Sequence, residues 1–244
     1  MTPRDIDLAT IRTWPAAITE QRDGWYYLAA SGVTGRVNAV WPLDWSGADI
    51  DAAITNVEAW YAAHNLPPRF KLTDGAYAPA DLADHLTRRG YEAVNPTLIM
   101  TASLSSEPGH FEGVAIAPTM PPLFDQALRD STPDPDDLEE RRSIARRLPP
   151  PAAFAVRESD GRAVATGASA VTGNLAGVFL MRTVPDARRQ GHALHILRAL
   201  MQWAWANGAT HAFLQVDADN IPAIALYEHE GFSALTTYRF WRQR

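Results

Sequence analysis

The chain has 244 residues, enough for one large domain or two smaller domains that each bury a core. Hydrophobic residues make up 46% and charged residues 20%, which is typical of a soluble globular protein, and the net charge of −6 argues against nucleic-acid binding as the main activity. The absence of cysteine excludes disulfides, thiolate metal sites and a cysteine nucleophile, and it fits a reducing cytoplasm.

The first half reads as alternating helices and strands, assigned from hydrophobic periodicity and turn residues. In chain order the prediction is a helix near 15–21, strands over 24–30 and 36–43 that form a hairpin, a helix over 49–65, a strand over 69–72, a helix over 78–90 and a closing strand or strand pair over 91–103. The polar, turn-rich residues 104–113 predict a linker between two domains.

The second half repeats this order. We predict a strand over 113–120, helices over 121–130 and 135–148, strands over 152–158 and 163–172 around an Asp-Gly turn, a strand over 177–183, a helix over 192–206, a strand over 211–217, a helix over 221–230 and a strand over 232–241. Asp136 or Asp137 is the expected N-cap of the helix over 135–148. RRGYEAVNPTLIM and HEGFSALTTYRFW align without gaps, Gly90 on Gly231, which indicates an internal duplication.

The corner between the strand over 177–183 and the following helix reads VPDARRQGHA. The first N–H groups of a helix are unpaired, and with the helix dipole they bind phosphate oxygens. Gly191 lacks the Cβ that would block a phosphate, and Arg188 and Arg189 add cationic donors. The corner therefore predicts a phosphate site, the alternative being a glycine that merely fits a tight turn.

Other phosphate and metal motifs are absent from the sequence. There is no G-x-x-x-x-G-K-[ST], and no G-x-G-x-x-G follows a predicted strand. His192 and His195 are three residues apart with no acidic ligand nearby, so no metal site is predicted.

A second segment, NIPAIALYEHEGF, follows the predicted strand over 211–217. Taken with the corner, it resembles the GCN5-related N-acetyltransferases (the GNAT superfamily). The corner matches the family's R/Q-x-x-G-x-G/A acyl-CoA loop, with Ala193 at the last small position. The second segment matches N-x-x-A-x-x-L-Y-x-x-x-G-F through Asn220, Ala223, Leu226, Tyr227, Gly231 and Phe232. The resemblance covers roughly residues 113–244.

The resemblance implies an α+β fold of two GNAT-like domains, each with a mixed, mostly antiparallel sheet flanked by helices. Residues 1–106 would form a degenerate domain and residues 107–244 the acetyltransferase domain. The counterpart of the phosphate loop in the first half, DWSGADIDAA, is acidic and lacks the motif, so acetyl-CoA is expected in the second half only. Five residues of the first half could shape an acceptor pocket or belong to the core: Trp25, Tyr26, Asn38, Trp41 and Trp45.

The resemblance also implies a role for each site residue. Arg188, Arg189, Gln190, Gly191, His192 and Ala193 would hold the pyrophosphate through backbone N–H groups. Met181 and Thr183 lie on the strand that in relatives splays from its neighbour and exposes backbone groups to pantetheine, which Asn220 would also contact. Tyr227 would protonate the CoA thiolate, since a phenol with a pKa near 10 is a reasonable donor to it; a packing role is the alternative.

The general base is not determined by the sequence. Asp217, Asp219 and Glu228 are candidates, and without cysteine the amine is expected to attack the thioester directly. The expected partner is a small-molecule or peptide amine, with no nucleic acid or membrane, in the cytoplasm. Two other readings are a catalytically silent acyl-CoA sensor or interaction module, and a GNAT-fold transferase that takes aminoacyl groups from charged tRNA.

Overall fold

The computed structural model describes residues 1–105, 113–159 and 161–243. These residues form an α+β fold in which helices flank one mixed, mostly antiparallel sheet of eleven strands, so the predicted fold class is confirmed. None of the described helices combines the length and the apolar character needed to cross a membrane.

The described residues form seven α-helices, two 3-10 helices and eleven strands. The N-terminal half (residues 1–105) contains α1 Pro3–Thr13, β1 Ile18–Arg22, β2 Trp25–Ala29, a 3-10 helix Gly35–Val37, β3 Val40–Trp41, α2 Ile50–Ala63, β4 Arg69–Thr73, α3 Leu82–Arg88 and β5 Tyr91–Ser103. The C-terminal half (residues 113–243) contains β6 Val114–Ala117, α4 Pro122–Ser131, α5 Pro135–Ala145, β7 Ala152–Ser159, β8 Arg162–Thr172, β9 Leu175–Thr183, a 3-10 helix Pro185–Ala187, α6 His192–Ala206, β10 His211–Asp217, α7 Ile221–His229 and β11 Ser233–Gln243.

One predicted helix and one predicted N-cap were wrong. The helix expected near 15–21 lies earlier, because Thr2 and Asp5 form a capping box that starts α1 at Pro3, and Ile18–Arg22 is a strand paired with β2. The N-cap of α5 is Asp134, whose carboxylate accepts from the N–H groups of both Asp136 and Asp137 at 2.9 and 3.2 Å. Pro135 at the first helical position fixes that start.

The two halves exchange their last strands. The sheet order is β1-β2-β3-β4-β11-β5-β10-β9-β8-β7-β6. β11 from the C-terminal half pairs with β4 and β5, and β5 from the N-terminal half pairs with β10 and β11, all antiparallel. The sheet is therefore continuous across the halves, and its centre is built from both.

The internal repeat corresponds to equivalent elements. In each half a helix, a strand, a shorter helix and a glycine precede the last strand. The strand between the two helices runs parallel to the strand before it in the chain: β4 is parallel to β3, and β10 is parallel to β9. Gly90 and Gly231 both have left-handed backbones, with φ of +78° and +84°. Duplication stays a prediction, as does the division at residues 106 and 107, which falls outside the described residues together with most of the predicted linker.

The only lysine of the chain is fully buried where the two halves meet. Lys71 on β4 donates to Asp7 of α1 at 2.7 Å and to Thr73 at 2.6 Å. Its ammonium also lies over the rings of Trp41 and Tyr238, at 3.9 and 4.1 Å from their centroids. Burial lowers the Lys71 pKa to about 8 although Asp7 acts in the opposite direction. One cation thus connects α1, β3, β4 and β11.

We predict that neither half folds alone. The fragment 107–244 loses β4 and β5, which leaves β11 without either of its partners and β10 paired only with β9, and the fragment 1–106 loses β11 from between β4 and β5. Each purified fragment should lack a cooperative unfolding transition, and refolding the two together should restore one, as measured by circular dichroism. A fragment 107–244 that is soluble and unfolds cooperatively by itself would contradict this.

Candidate functional site

A gap in the sheet opens between β9 and β10. These parallel strands are paired only where residues 175–177 lie beside residues 211–213. Beyond that point, residues 178–182 and 214–217 line a cleft of about 170 Å³ instead of continuing the ladder. Each strand stays paired on its other side, β9 with β8 and β10 with β5, so the sheet holds the gap open.

A β-bulge sets the direction of the side chains on the β9 wall. The β8–β9 register shifts between Thr166 and Ala168, and Leu180 takes a positive φ of +52°. A Cβ on the intervening Gly167 would lie 2.6 Å from the sulfur of Met181 and from Ile196, so only glycine lets Met181 pack there against α6. The next residue, Arg182, points to the opposite face because side chains alternate along a strand.

The corner after β9 presents free backbone donors. Arg189 and Gly191 have positive φ values of +61° and +80°, and Gly191 is the N-cap of α6 without a side-chain cap. The backbone N–H groups of Gly191, His192 and Ala193 make no hydrogen bond with the described residues. A Cβ at Gly191 would meet nothing within 4 Å. Within the protein itself, glycine is therefore favoured at this position by the left-handed φ and not by lack of space. This arrangement fits a phosphate, since several N–H groups and the helix dipole meet in open space.

The side chains of the corner leave that space accessible. Arg188, Arg189 and Gln190 are exposed; Arg188 makes one long contact, 3.4 Å to the Thr183 carbonyl, and Arg189 has no partner among the described residues. His192 is buried, and its Nδ1 accepts from Nε of Arg157 at 2.9 Å. Burial, followed by the charge of Arg157, lowers the His192 pKa and keeps the ring neutral. His192 therefore offers the site its backbone, not its ring.

The corresponding helix of the N-terminal half is closed to anions. α2 begins at Asp49, whose carboxylate accepts from the N–H of Ala52 at 3.0 Å, and Asp51 adds a second negative charge in the first turn. A helix N-terminus that already holds a carboxylate repels a phosphate. The acidic residues in the segment DWSGADIDAA therefore close the start of α2 to a phosphate.

Tyr227 and Asn220 lie on the other wall of the same cleft. Tyr227 is 8% exposed, its ring packs near Phe232, and its hydroxyl has no hydrogen-bond partner in the described residues. Burial raises the Tyr227 pKa to about 12, while Arg182 and Arg36 act to lower it. Asn220 is the N-cap of α7, where its side-chain oxygen accepts from Ala223 N–H at 3.3 Å, a structural role the sequence reading omitted.

The structure separates the three carboxylates proposed as bases. All three are exposed, but only Asp217, at the end of β10, lines the cleft. Gln215 also lines it and donates to Thr10 of α1 at 2.9 Å. Among the residues described, no group of three or more His, Asp or Glu side chains is arranged to hold a metal ion.

Three arginines of the cleft were missed from the sequence. Arg36 follows β2 in the N-terminal half, Arg141 lies on α5, and Arg182 is next to Met181 on β9. Because side chains alternate along a strand, the position of Arg182 beside Met181 could have indicated that it borders the cleft. Arg36 and Arg141 are distant in sequence, and only the tertiary fold brings them near Arg182. Of the five N-terminal residues considered for an acceptor pocket, three belong to the core: Trp25 and Trp41 are 1% exposed, and Asn38 is 3% exposed.

One buried carboxylate fixes the loop that carries Arg36. Glu140 on α5 accepts from the N–H groups of Ser31, Val33 and Thr34, and from the Asn38 side chain at 2.8 Å. Burial by itself would raise the Glu140 pKa, but the donors, Thr34 first, outweigh it and hold that pKa below its usual value. Glu140 thereby connects the N-terminal half to the helix that carries Arg141.

Comparisons with known proteins agree with this fold. Residues 2–241 match the family described as "Probable histone acetyltransferase Rv0428c C-terminal". The chain is 26% identical over 245 residues to the "Uncharacterized N-acetyltransferase YobR" of Bacillus subtilis (strain 168), covering 97% of each protein. It is 35% identical over 81 residues to the "Probable histone acetyltransferase Rv0428c" of Mycobacterium tuberculosis (strain ATCC 25618 / H37Rv), or 33% of this chain and 26% of that protein. The solved structure of a GCN5-related N-acetyltransferase from Kribbella flavida superposes with a TM-score of 0.74 at 18% identity, covering 99% of this chain and 95% of the other.

We predict that Glu140→Gln destabilises the protein by about 1.5–3 kcal/mol at pH 7, because charge-assisted bonds to several buried N–H groups are weakened. The folded-state pKa lies below the unfolded value of 4.5, so this stabilisation is complete above 4.5 and lost as the pH falls through the folded pKa. Urea unfolding at pH 7 and below 4.5 should show the difference between wild type and variant shrinking with acid.

The matched control is Glu139→Gln on the same helix. Glu139 is exposed and makes only long ion pairs, at 3.4 and 3.6 Å, so its loss should change stability by less than about 0.5 kcal/mol. Equal effects of the two substitutions would show that Glu140 does not hold the loop.

Proposed function

Because this chain belongs to the GNAT acetyltransferases, in the family described for the mycobacterial protein, we propose that it moves an acetyl group from acetyl-CoA to an amine. The observation that carries the proposal is the cleft between β9 and β10, which is lined by Tyr227 and leads at Thr183 into the uncapped start of α6. This region therefore offers N–H groups for the pyrophosphate, an open strand edge for the arm that carries the thioester, and a phenol that can act as the acid.

The C-terminal half supplies the binding groups in this proposal. The N–H groups of residues 188–193 hold the pyrophosphate, with Arg188 and Arg189 free to fold onto it. The unpaired edge of β9 between Met181 and Thr183 offers backbone groups to the pantetheine amides. Asn220 lies across the cleft, and its side-chain nitrogen is free for a second contact while its oxygen caps α7.

Acetyl-CoA supplies the thioester whose carbonyl carbon accepts the amine. In the transfer a C–N bond forms and the C–S bond breaks; the amine gives up one proton, and the sulfur leaves as a thiolate that takes one. Asp217, the cleft carboxylate, is placed to take the first proton directly or through water. Tyr227, protonated up to a pH of about 12, is the donor of the second.

Tyr227 suits the role of acid because its hydroxyl faces the cleft and makes no hydrogen bond with the described residues. Burial raises the Tyr227 pKa to about 12, which makes the phenol a weaker donor than a tyrosine in water but keeps it protonated at neutral pH. Arg182 and Arg36 oppose the upward shift of the tyrosine. By opposing that shift, these two arginines make the phenol a stronger donor than burial alone would leave it.

Two other functions are less well supported. A silent acyl-CoA sensor would not require a free hydroxyl opposite the β9 edge. An aminoacyl-tRNA transferase would need a basic surface, which the net charge of −6 does not favour. Release of free thiol from acetyl-CoA over a panel of amines, a histone tail among them because of the relative's name, distinguishes these functions.

We predict one acetyl-CoA site per chain. Calorimetric titration should give a stoichiometry near one, since Asp49 closes the start of α2. Arg188→Glu and Arg189→Glu should each weaken binding by roughly 1.5–3 kcal/mol through loss of a charge-assisted contact. The exposed Arg88, which has no described partner, provides the control Arg88→Glu. Two equivalent sites would contradict the assignment.

Gly191→Val should weaken acetyl-CoA binding more than either arginine change. A β-branched residue at φ +80° is strained, and its side chain enters the open space in front of the N–H groups. Gly90→Val is the matched control, because Gly90 has a φ of +78°, equally open surroundings and no part in the site. Equal binding by both variants would show that Gly191 serves only the turn.

Tyr227→Phe should leave folding and acetyl-CoA affinity nearly unchanged, because the ring and its packing remain. The single-turnover rate at saturating acetyl-CoA should fall by roughly 10²–10⁴-fold, the range for a positioned acid–base group. A wild-type rate would mean that Tyr227 is a packing residue. Phe232→Leu, which alters the neighbouring packing and leaves the hydroxyl, separates the two roles.

A further inference from the structure

Three arginines from three separate elements line the cleft at one place. Arg36 comes from the 3-10 helix of the N-terminal half, Arg141 from α5 and Arg182 from β9. All three are partly buried, and Arg182 and Arg36 are close enough to Tyr227 to affect its ionisation. The acetyl transfer described above gives them no direct part; Arg182 and Arg36 enter it only through their effect on the Tyr227 pKa.

The negative charges around this group do not balance it. Arg141 is paired with Asp137 at 2.8 Å, and Arg36 lies over the ring of Trp14 at 5.9 Å. Arg182 makes no hydrogen bond or ion pair with the described residues, and Asp217 is the only acidic residue among those that line the cleft. Burial first, and then the charge of Arg141, lowers the Arg182 pKa. An arginine held in this way lacks a counter-anion.

The group lies on the face of the sheet away from the predicted phosphate corner. Val178 and Met181 pack with α6 and Tyr227, whereas Phe179 and Leu180 pack with residues of α1, α4 and α5. Arg182, next to Met181, therefore points toward α5, which carries Arg141. Glu140 connects that helix to the loop of residues 31–38, so Arg36 and Arg141 are held together by a buried carboxylate.

We propose that Arg36, Arg141 and Arg182 bind a carboxylate on the acceptor, so that the substrate class is an amine that also carries an acid group, such as an amino acid or an acidic peptide. This rests on the proposed function. Guanidinium groups bind carboxylates in bidentate geometry, and an approaching carboxylate would supply the anion that Arg182 lacks.

The same charges act on the amine. A cationic cleft repels an ammonium ion, so a simple amine or a lysine-rich peptide would bind weakly there. Once an acid group offsets that repulsion, the remaining positive potential favours the neutral amine, which is the form that attacks the thioester. The arginines thus select the acceptor and help to prepare it.

The test compares acceptors that differ only in the acid group. Thiol release from acetyl-CoA is measured with several amino acids and with their amides. Phosphoethanolamine and ethanolamine are compared in the same way to test for phosphate recognition. A lysine-rich peptide tests a cationic acceptor. An amide lowers the pKa of the neighbouring amine, so intrinsic reactivity favours the amide. A preference for the acid must then come from the protein.

The expected wild-type preference is at least tenfold in kcat/KM for the acid. Arg182→Gln and Arg36→Gln should each reduce that preference by roughly tenfold to a hundredfold, the range for one charge-assisted hydrogen bond, with the KM for acetyl-CoA unchanged. Arg88→Gln removes an exposed charge far from the cleft and should have no effect. Arg36, on a loop, serves as the second variant if Arg182→Gln fails to fold.

Binding of N-acetyl amino acids and their N-acetyl amides to the full chain, by calorimetry, gives the same comparison without turnover. If neither turnover nor binding favours the carboxylate, or if the arginine variants keep the wild-type preference, the inference is wrong. A preference for the phosphate or lysine-rich arm over the carboxylates also overturns it. Failure of the proposed function is read separately, as absence of acetyl-CoA binding and of thiol release.

Discussion

The exchange of strands β5 and β11 is the constraint on which the rest of the structure depends. Because each half contributes a strand to the centre of the other's sheet, the two halves share one hydrogen-bonded ladder. That ladder fixes β10 from its β5 side, and β10 is therefore free to part from β9 on its other side. The exchange also brings α1 and the loop that carries Arg36 to the cleft, so a site built mainly by one half is completed by the other.

The two halves share an element order but differ in charge at one position. Where α6 begins with a glycine and free N–H groups, α2 begins with Asp49, which binds the N–H of Ala52. A single side chain thus separates an open helix start, the proposed phosphate site, from a closed cap. The N-terminal half instead contributes a buried core, in which its aromatic residues pack and Lys71 pairs with Asp7, and it brings Arg36 to the cleft.

Most of the fold could be predicted from the sequence because its helices are amphipathic and its turns carry glycine. α6 was expected at its observed bounds, and the corner at Gly191 was recognised from two arginines and a glycine. The helix near 15–21 was wrong because a capping box at Thr2 fixes the start of α1 elsewhere. Strand exchange and the meeting of Arg36 with Arg182 could not be foreseen, since both depend on which strands pair, and hydrophobic periodicity does not encode a partner.

The arginine group explains how a protein with net negative charge can hold a cationic cleft. Charge at the site is decided by neighbours within a few ångströms, since more distant surface charges are screened by salt. Around Arg182 those neighbours are Arg36, Arg141 and Arg188, with Asp137 engaged by Arg141. Burying such a group of like charges costs free energy unless an anion balances them. A ligand that supplies the missing negative charge therefore binds through that charge. Acceptor choice would then follow from an unbalanced charge that two halves of the chain create together, and neither half alone contains it.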